Sequence, residues 1–382
     1  MSDRGTRPTA SPSNARLDEA GLARIALPIA AIAAFVAIPG IVVLAAAQAG
    51  TLGFDFQSYH QAAQRVLAGQ PLYDPSIQQT GGFGLFYYPP PFVFAIVPFA
   101  WLDPVAASWV WLALSVAMLL GGIYLMPVRA SVRWATLLLA GLSWPVAYAL
   151  KLGQVGPLLL LLFALGWRWL DAPVRFGVVG AIGAIVKVQP GLVLGWALLT
   201  RRWTAVAVGA LVLVVAAVVS TSLLGGFSVW TDFLTLLRNV SDPIATPHNF
   251  TPGSVAYQAG LPSGLATTIQ VASTVLVVVA VVASALMLRP DASYLVAVVA
   301  SQLISPILWD HYAMLLLLPV AWLLERRQWW AVLIPLATSA VVLLVSLPPA
   351  LYPIAFWAAL LGVFAFGWRD RDRERHLARA AA

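Results

Sequence analysis

The chain has 382 residues, of which 61% are hydrophobic and only 10% are charged, and its formal net charge is +7. A soluble domain carries roughly 25% charged residues, so this chain has too little polar surface to cover a core of such size. A water-soluble enzyme and a disordered chain are therefore excluded, and the composition predicts a polytopic membrane protein.

Apolar segments recur along the chain, and a transmembrane helix needs about 20 such residues. We predict an all-α integral membrane protein with about 12 spans. The predicted spans are 25–49, 105–126, 134–150, 155–170, 176–187, 190–200, 203–224, 265–288, 292–308, 312–324, 329–346 and 350–367. They divide the chain into an N-terminal tail (1–24), a transmembrane domain (25–367) and a basic C-terminal tail (368–382). Span 25–49 is longer than the apolar core of a signal peptide, so we interpret it as an uncleaved anchor.

The distribution of positive charge predicts the orientation, because basic residues mark cytoplasmic loops. With both termini cytoplasmic and the Pro-rich segment 88–101 re-entrant, all but four of the 22 basic residues lie inside. The exceptions are Arg65, Lys151, Lys187 and Arg238. The net charge is then explained by topology and anionic membrane lipid, and we expect no nucleic-acid partner.

The first long external loop (50–104) is predicted to contain an amphipathic helix. Its apolar face would comprise Tyr59, Ala62, Ala63, Val66 and Leu67. Its opposite face would carry Gln57, His60, Gln61 and Gln64. Asp55 stands at the start of this helix, where a carboxylate either caps the helix or serves in a site.

The rest of the external region carries irregular polar segments. Asp74 with Pro75 predicts a turn. The run Tyr88-Pro89-Pro90-Pro91 interrupts helical hydrogen bonding, so its backbone should line a cavity rather than face lipid. The second external loop (225–264) is predicted to hold another amphipathic helix, followed by a polar segment that contains Asn249. The apolar face of that helix would comprise Trp230, Phe233, Leu234 and Leu237.

Three polar clusters fall at the ends of predicted spans: 151–154, 187–190 and 305–312. A charged group within a membrane segment costs about 2.5–3.5 kcal/mol on insertion scales, so such groups usually face a cavity. For Lys187 the alternative is snorkelling to the surface. For Asp310 and His311 the alternative is a mutually satisfied pair at a helix end.

These residues fit a lipid-borne phosphate substrate better than a metal-dependent reaction. Cysteine is absent, and no paired-histidine metal motif or phosphate-binding glycine loop is present in the sequence. Basic side chains and histidine pair with phosphate, and a carboxylate can take a proton from an attacking hydroxyl.

The order and spacing of several motifs resemble glycosyltransferase family 87, over about residues 50–330. The motifs are 54–59, 72–75, 88–91, 187–190 followed by 201–203, and Ser305-Pro306 with Trp309-Asp310-His311. The resemblance implies a GT-C-type helical bundle in the bacterial plasma membrane, with its active site on the extracytoplasmic face. It implies an inverting transfer of a hexose that needs neither a metal nor a cofactor. The expected hexose is mannose. The donor would be a polyprenyl-phosphate sugar and the acceptor a lipid or glycan.

The resemblance also implies residue roles. Asp55 would be the catalytic base, and His311 would bind the donor phosphate. Lys187, as a charged group in a membrane segment, is our candidate for the same phosphate. Further candidates for substrate binding are Asp310, Gln189, His60, Tyr88, Lys151, Gln154 and Asn249. Val188 and the segment Asn249-Phe250-Thr251 depart from the usual family pattern, which bears on acceptor identity.

Three alternatives remain at this point. An arabinofuranosyl donor would use the same carrier. A secondary transporter or flippase would usually show internal repeats and mid-span charges, which this sequence lacks. An inactive scaffold subunit would not need Asp55, Lys187 and His311.

Overall fold

The protein is all-helical throughout the part of the chain that the structure, a computed structural model, describes. Residues 19–74, 76, 85–239, 243–339 and 348–381 are described, and they contain no β-strand. The predicted N-terminal tail therefore lies mostly outside the described residues.

The helix bounds follow chain order. The α-helices are α1 (Glu19–Gln48), α2 (Phe54–Leu67), α3 (Val93–Ile96), α4 (Pro104–Leu125), α5 (Ala130–Gly141), α6 (Trp144–Leu152), α7 (Gly156–Arg168), α8 (Pro173–Val186), α9 (Leu192–Leu199), α10 (Trp203–Leu223), α11 (Ser228–Asn239), α12 (Pro252–Gln258), α13 (Ser263–Met287), α14 (Pro290–Leu303), α15 (Leu317–Glu325), α16 (Leu333–Ala337) and α17 (Leu351–Ala381). Short 3₁₀ segments lie at Pro90–Phe92, Val97–Trp101, Gln189–Gly191, Asp310–Leu316 and Trp329–Val332.

Five of the described helices are long and apolar enough to cross a membrane: Ile25–Gln48, Pro104–Leu125, Trp203–Leu223, Ser263–Met287 and Leu351–Arg373. A sixth crossing results if α5 and α6, which meet at an angle of 67°, form one broken span. A membrane-embedded protein is thus supported, whereas 12 spans are not confirmed. The predicted span 329–346 is only partly described, and α17 continues without a break into the predicted tail.

The shorter helices form the interior of the protein, where they pack against other helices. Every side chain from Ala292 to Leu303 in α14 is buried, as expected for a helix that is packed on all sides. Small residues permit close helix contacts, as is common in membranes. A Cβ on Gly177 of α8 would lie 2.4 Å from the Ala205 carbonyl oxygen of α10, and a Cβ on Gly141 of α5 would lie 2.5 Å from the Phe35 nitrogen of α1.

The Pro-rich segment forms a compact cover beside α2. It consists of two 3₁₀ segments that flank α3, and it packs against α2. Phe92, Val93 and Ile96 are buried within it. Its proposed re-entrant position in the membrane stays a prediction.

Candidate active site

Two glycines bring the start of α2 against the end of α6. Gly53 and Gly153 both have positive φ angles, 73° and 70°, which glycine adopts without steric cost. The Gly53 amide donates to the Lys151 carbonyl at 2.8 Å. A Cβ on Gly153 would lie 2.6 Å from the Cβ of Phe56. This close approach places Asp55 beside Gln154.

Asp55 belongs to a buried hydrogen-bond network. Its Oδ2 accepts a hydrogen bond from the Gln154 side-chain amide. The Gln154 Oε1 lies 3.3 Å from the Tyr59 hydroxyl and 3.2 Å from the Tyr88 hydroxyl, and the two hydroxyls are 2.6 Å apart. The helix begins at Phe54 without a side-chain cap, so the interpretation of Asp55 as an N-cap was wrong.

Lys187 lies in the break between α8 and the following 3₁₀ segment. Its backbone is extended, with φ −155° and ψ 141°, and this conformation turns the side chain inward. The amine donates to the Tyr312 hydroxyl. It also lies 4.0 Å from the ring centroid of Tyr312 and 5.8 Å from that of Tyr88, within the range of a cation–π contact. This inward geometry disfavours snorkelling.

His311 is buried next to Tyr312, the hydrogen-bond partner of Lys187. The His311 side chain is 5% exposed, and its ring packs edge-on against Tyr312 at 4.9 Å. Within the described part of the chain, neither ring nitrogen has a hydrogen-bond partner. Nδ1 lies 3.7 Å from Asp310 Oδ1, which is beyond hydrogen-bond distance. The pair is therefore not mutually satisfied, and His311 retains free hydrogen-bonding capacity.

The charges around Asp55 act on its carboxyl group in opposite directions. Burial raises the pKa of Asp55 above its ordinary value, and the charge of Asp310 adds to this effect. The neighbouring His311, the hydrogen bond from Gln154 and the charge of Lys187 lower the pKa of Asp55. The net pKa is raised, which suits a carboxylate that accepts a proton near neutral pH.

Two other candidates lie at the edge of this network. Gln189 donates through its side-chain amide to the Ser305 hydroxyl at 3.0 Å. The Lys151 amine lies 5.5 Å from the ring centroid of Tyr148. The structure thus gives both residues protein partners other than Asp55.

His60 does not lie on a free polar face. It is 1% exposed, and its Nε2 lies 3.1 Å from the carbonyl oxygens of both Phe99 and Leu102. The prediction was wrong because the Pro-rich segment covers this side of α2. Leu67, placed on the apolar face, is 49% exposed.

Asn249 joins the second long loop to the segment that precedes Asp310. Its side-chain amide donates to the carbonyls of Pro243 and Pro306, at 2.6 and 3.0 Å. Its Oδ1 accepts from the amides of Thr251 and Leu308, at 3.0 and 2.9 Å. Asn249 is fully buried, and its side-chain hydrogen bonds are all made to other protein groups. Its role in the structure is therefore to hold these two segments together.

The predicted helix of the second loop forms as α11, but with a different buried face. Val229, Phe233 and Leu236 are buried, whereas Leu234 is 52% exposed. Phe233 packs against the ring of Tyr73 at 5.5 Å, and this contact fixes the rotation of the helix. Placing Leu234 on the apolar face was therefore wrong.

Sequence reasoning missed Tyr59 as a member of the polar network. Tyr59 was predicted only as part of an apolar helix face, and a sequence does not distinguish a phenol that packs from one whose hydroxyl is hydrogen-bonded. At the predicted turn, Asp74 Oδ1 accepts from the amide and the hydroxyl of Ser76, at 3.0 and 2.6 Å, while Pro75 lies outside the described residues.

A metal site is not evident in the described residues, where no group of three or more suitable ligands is found. Metal and cofactor independence stays a prediction.

Comparison with known proteins gives one match. The family model of glycosyltransferase family 87 matches residues 86–308. Neither the curated proteins nor the solved structures include a match. The matched region contains Gln154, Lys187 and Asn249. His311 lies just after its end, whereas Asp55 lies well before its start. Because this region is more than half of the chain, the protein belongs to glycosyltransferase family 87.

Proposed function

We propose that this glycosyltransferase moves a hexose, in the first place mannose, from a polyprenyl phosphate to a hydroxyl of a lipid or glycan. The observation that carries the proposal is one buried cluster in which Asp55 lies within electrostatic range of both Lys187 and His311. This cluster combines a proton acceptor with cationic groups. Both are needed for a transfer in which phosphate is the leaving group.

The proposed reaction is a single displacement. Asp55 takes the proton of the acceptor hydroxyl, and the acceptor oxygen forms a bond to the anomeric carbon. The bond from that carbon to the phosphate oxygen breaks on the opposite face, and the phosphate leaves with the electron pair. General base catalysis of this kind contributes typically 10²–10⁴-fold.

The cationic side of the cluster would stabilise the leaving phosphate. The Lys187 amine is held by the Tyr312 hydroxyl and by the rings of Tyr312 and Tyr88. Among the described residues, the ring nitrogens of His311 have no hydrogen-bond partner. Groups that are fixed before the reaction stabilise developing charge without reorganisation. Asp310, whose Oδ1 accepts from the backbone amide of His311 at 3.0 Å, and Gln189, which donates to Ser305, would support this side.

The proposed location is a bacterial plasma membrane with both termini in the cytoplasm. Support comes from the arginine-rich loops, which mark the cytoplasmic side. The cluster then lies at the extracytoplasmic ends of the helices. Membrane lipids would be further partners.

The test is transfer in liposomes that contain the purified protein, radiolabelled polyprenyl-phosphate mannose and a membrane lipid extract. Wild type should move label into a new lipid or glycan. Asp55→Asn should lose transfer by roughly 10²–10⁴-fold while retaining donor binding. Asp232→Asn makes the same chemical change on α11 and should transfer like wild type.

Full transfer by a folded Asp55→Asn variant would refute the proposed base. If wild type bound neither mannosyl nor arabinofuranosyl donors, the transferase proposal itself would fail. If only the arabinofuranosyl donor supported transfer, the transferred sugar would be arabinofuranose and not a hexose.

A further inference from the structure

The side-chain amide of Gln154 is held at both ends. Its carbonyl oxygen faces the hydroxyls of Tyr59 and Tyr88, and its nitrogen donates to Oδ2 of Asp55. Gln154 is only 7% exposed. It therefore connects the carboxylate to a buried pair of phenols.

The orientation of this amide fits the groups at both of its ends. Their oxygens lie 2.6 Å apart, and each hydroxyl carries one proton. One hydroxyl donates to the other, and the second donates to Gln154 Oε1. Rotating the amide by 180° would place its carbonyl oxygen against a carboxylate oxygen. The observed orientation thus matches an ionised Asp55.

The two oxygens of Asp55 are not equivalent. Oδ2 is occupied by Gln154, whereas Oδ1 accepts no hydrogen bond from the residues that the structure describes. We propose that Gln154 is a positioning residue, which keeps Asp55 ionised through Oδ2 and leaves Oδ1 for the acceptor proton. This inference rests on the proposed function, in which Asp55 is the base.

The hydrogen bond from Gln154 acts within a set of other groups around Asp55. The ionisable groups in range are His311, Lys187, Asp310, Tyr59, Tyr88, Tyr148 and Tyr312. The Lys151 amine on α6 is turned to the ring of Tyr148. Burial raises the pKa of Asp55, and the Gln154 bond lowers it. Removing this bond should therefore raise the pKa further.

The sign of the effect on activity follows directly. A base works in its ionised form, so transfer is present above the pKa of Asp55 and is lost as the pH falls through it. Raising that pKa moves the acidic limb of the pH profile to higher pH. A hydrogen bond to a charged group contributes enough to shift this limb by about one pH unit.

The experiment measures kcat/KM for transfer against pH with Gln154→Leu and Gln154→Glu. Gln154→Leu removes the donor, and its acidic limb should move upward by about one unit. Gln154→Glu retains the shape but adds a second carboxyl group, so its limb should move further. Gln302 offers a matched control, since it is 2% exposed and donates to the Ser301 hydroxyl at 2.8 Å. Gln302→Leu should leave the limb in place.

Two outcomes would overturn the inference. An unchanged limb in both Gln154 variants would limit this residue to packing. An equal loss of kcat/KM at every pH would indicate that Gln154 contacts the substrate instead. If Gln154→Leu does not fold, Gln154→Met provides the result, because it removes the same donor without adding a charge.

Asp55→Asn in the same assay separates this inference from the proposed function. If Asp55→Asn retains transfer with its acidic limb, Asp55 is not the base and the proposed function fails. If Asp55→Asn is inactive and the Gln154 variants keep the wild-type limb, only the positioning role of Gln154 fails.

Discussion

The two sides of the cluster differ in how completely their polar groups are satisfied. The acid side consists of Asp55, Gln154, Tyr59 and Tyr88, and it forms a continuous hydrogen-bond network. The cationic side consists of Lys187 and His311, and Asp310 lies beside His311. There, among the described residues, the buried imidazole has no hydrogen-bond partner.

This difference suggests different roles for the two sides. A satisfied buried network fixes its members in one arrangement. A buried polar group without a partner lowers stability, because it has lost water and gained nothing in exchange. The acid side is therefore organised in the free protein, and in the proposed function an anionic ligand would complete the cationic side.

Among changes outside Asp55, the largest expected effect comes from removing the amine of the cationic side. Lys187→Met should lower transfer by about 10²–10³-fold, the range found for loss of one group that stabilises developing charge. The effect should fall on kcat and on the affinity for the donor. Steady-state kinetics in liposomes with varied donor would measure it.

Lys151→Met is the comparison, since Lys151 and Lys187 are the chain's two lysines. The Lys151 amine contacts Tyr148 and not Tyr312, so Lys151→Met should lower transfer less than Lys187→Met does. Equal losses would show that the cationic side is not confined to Lys187 and His311.

A smaller effect on activity, with an unusual effect on stability, is expected for His311→Leu. Transfer should fall by about 10–100-fold, within the range of a single charge-stabilising hydrogen bond. The thermal midpoint should not fall, because an unsatisfied buried group costs about 1–3 kcal/mol and leucine removes that cost. Thermal unfolding in detergent would measure this. A marked loss of stability would show that His311 is hydrogen-bonded in the free protein.

The smallest expected effect comes from the backbone contact that supports the acid side. Alanine at a position with positive φ costs about 1–2 kcal/mol, and Gly153→Ala would add a clash with Phe56. Gly50 has φ 66°, and a Cβ added there would meet no atom within 4 Å, so Gly50→Ala incurs the backbone cost alone. Gly153→Ala should therefore lower the thermal midpoint and transfer more than Gly50→Ala. Equal effects would show that the contact between α2 and α6 is not critical.

Much of the helical organisation could be predicted from the sequence, because apolar segments and their breaks are local features. Five predicted spans appear as helices long enough to cross a membrane. The number of crossings could not be derived in this way. Helices such as α14 and α15 are apolar because protein surrounds them, and composition does not distinguish burial in protein from burial in lipid.

The candidate site was predictable in part. Asp55, Lys187 and His311 were proposed from motifs, and the structure brings them into one cluster, while their roles stay predictions. The burial of His60 and the hydroxyl contact of Tyr59 were not predictable. Helical periodicity assumes one covered face, whereas the Pro-rich segment covers a second face of α2.

The cluster joins segments that are far apart in the chain, and this has a consequence for synthesis. Roughly 250 residues separate Asp55 from His311. At about 5–20 residues per second, the ribosome needs on the order of 10–50 seconds to make the intervening chain. The acid side is therefore complete once Gln154 has been made and packed, well before Asp310 and His311 exist. A nascent chain that ends before His311 has Lys187 but lacks the imidazole of the cationic side, so in the proposed function transfer would begin only after residue 311 has been made.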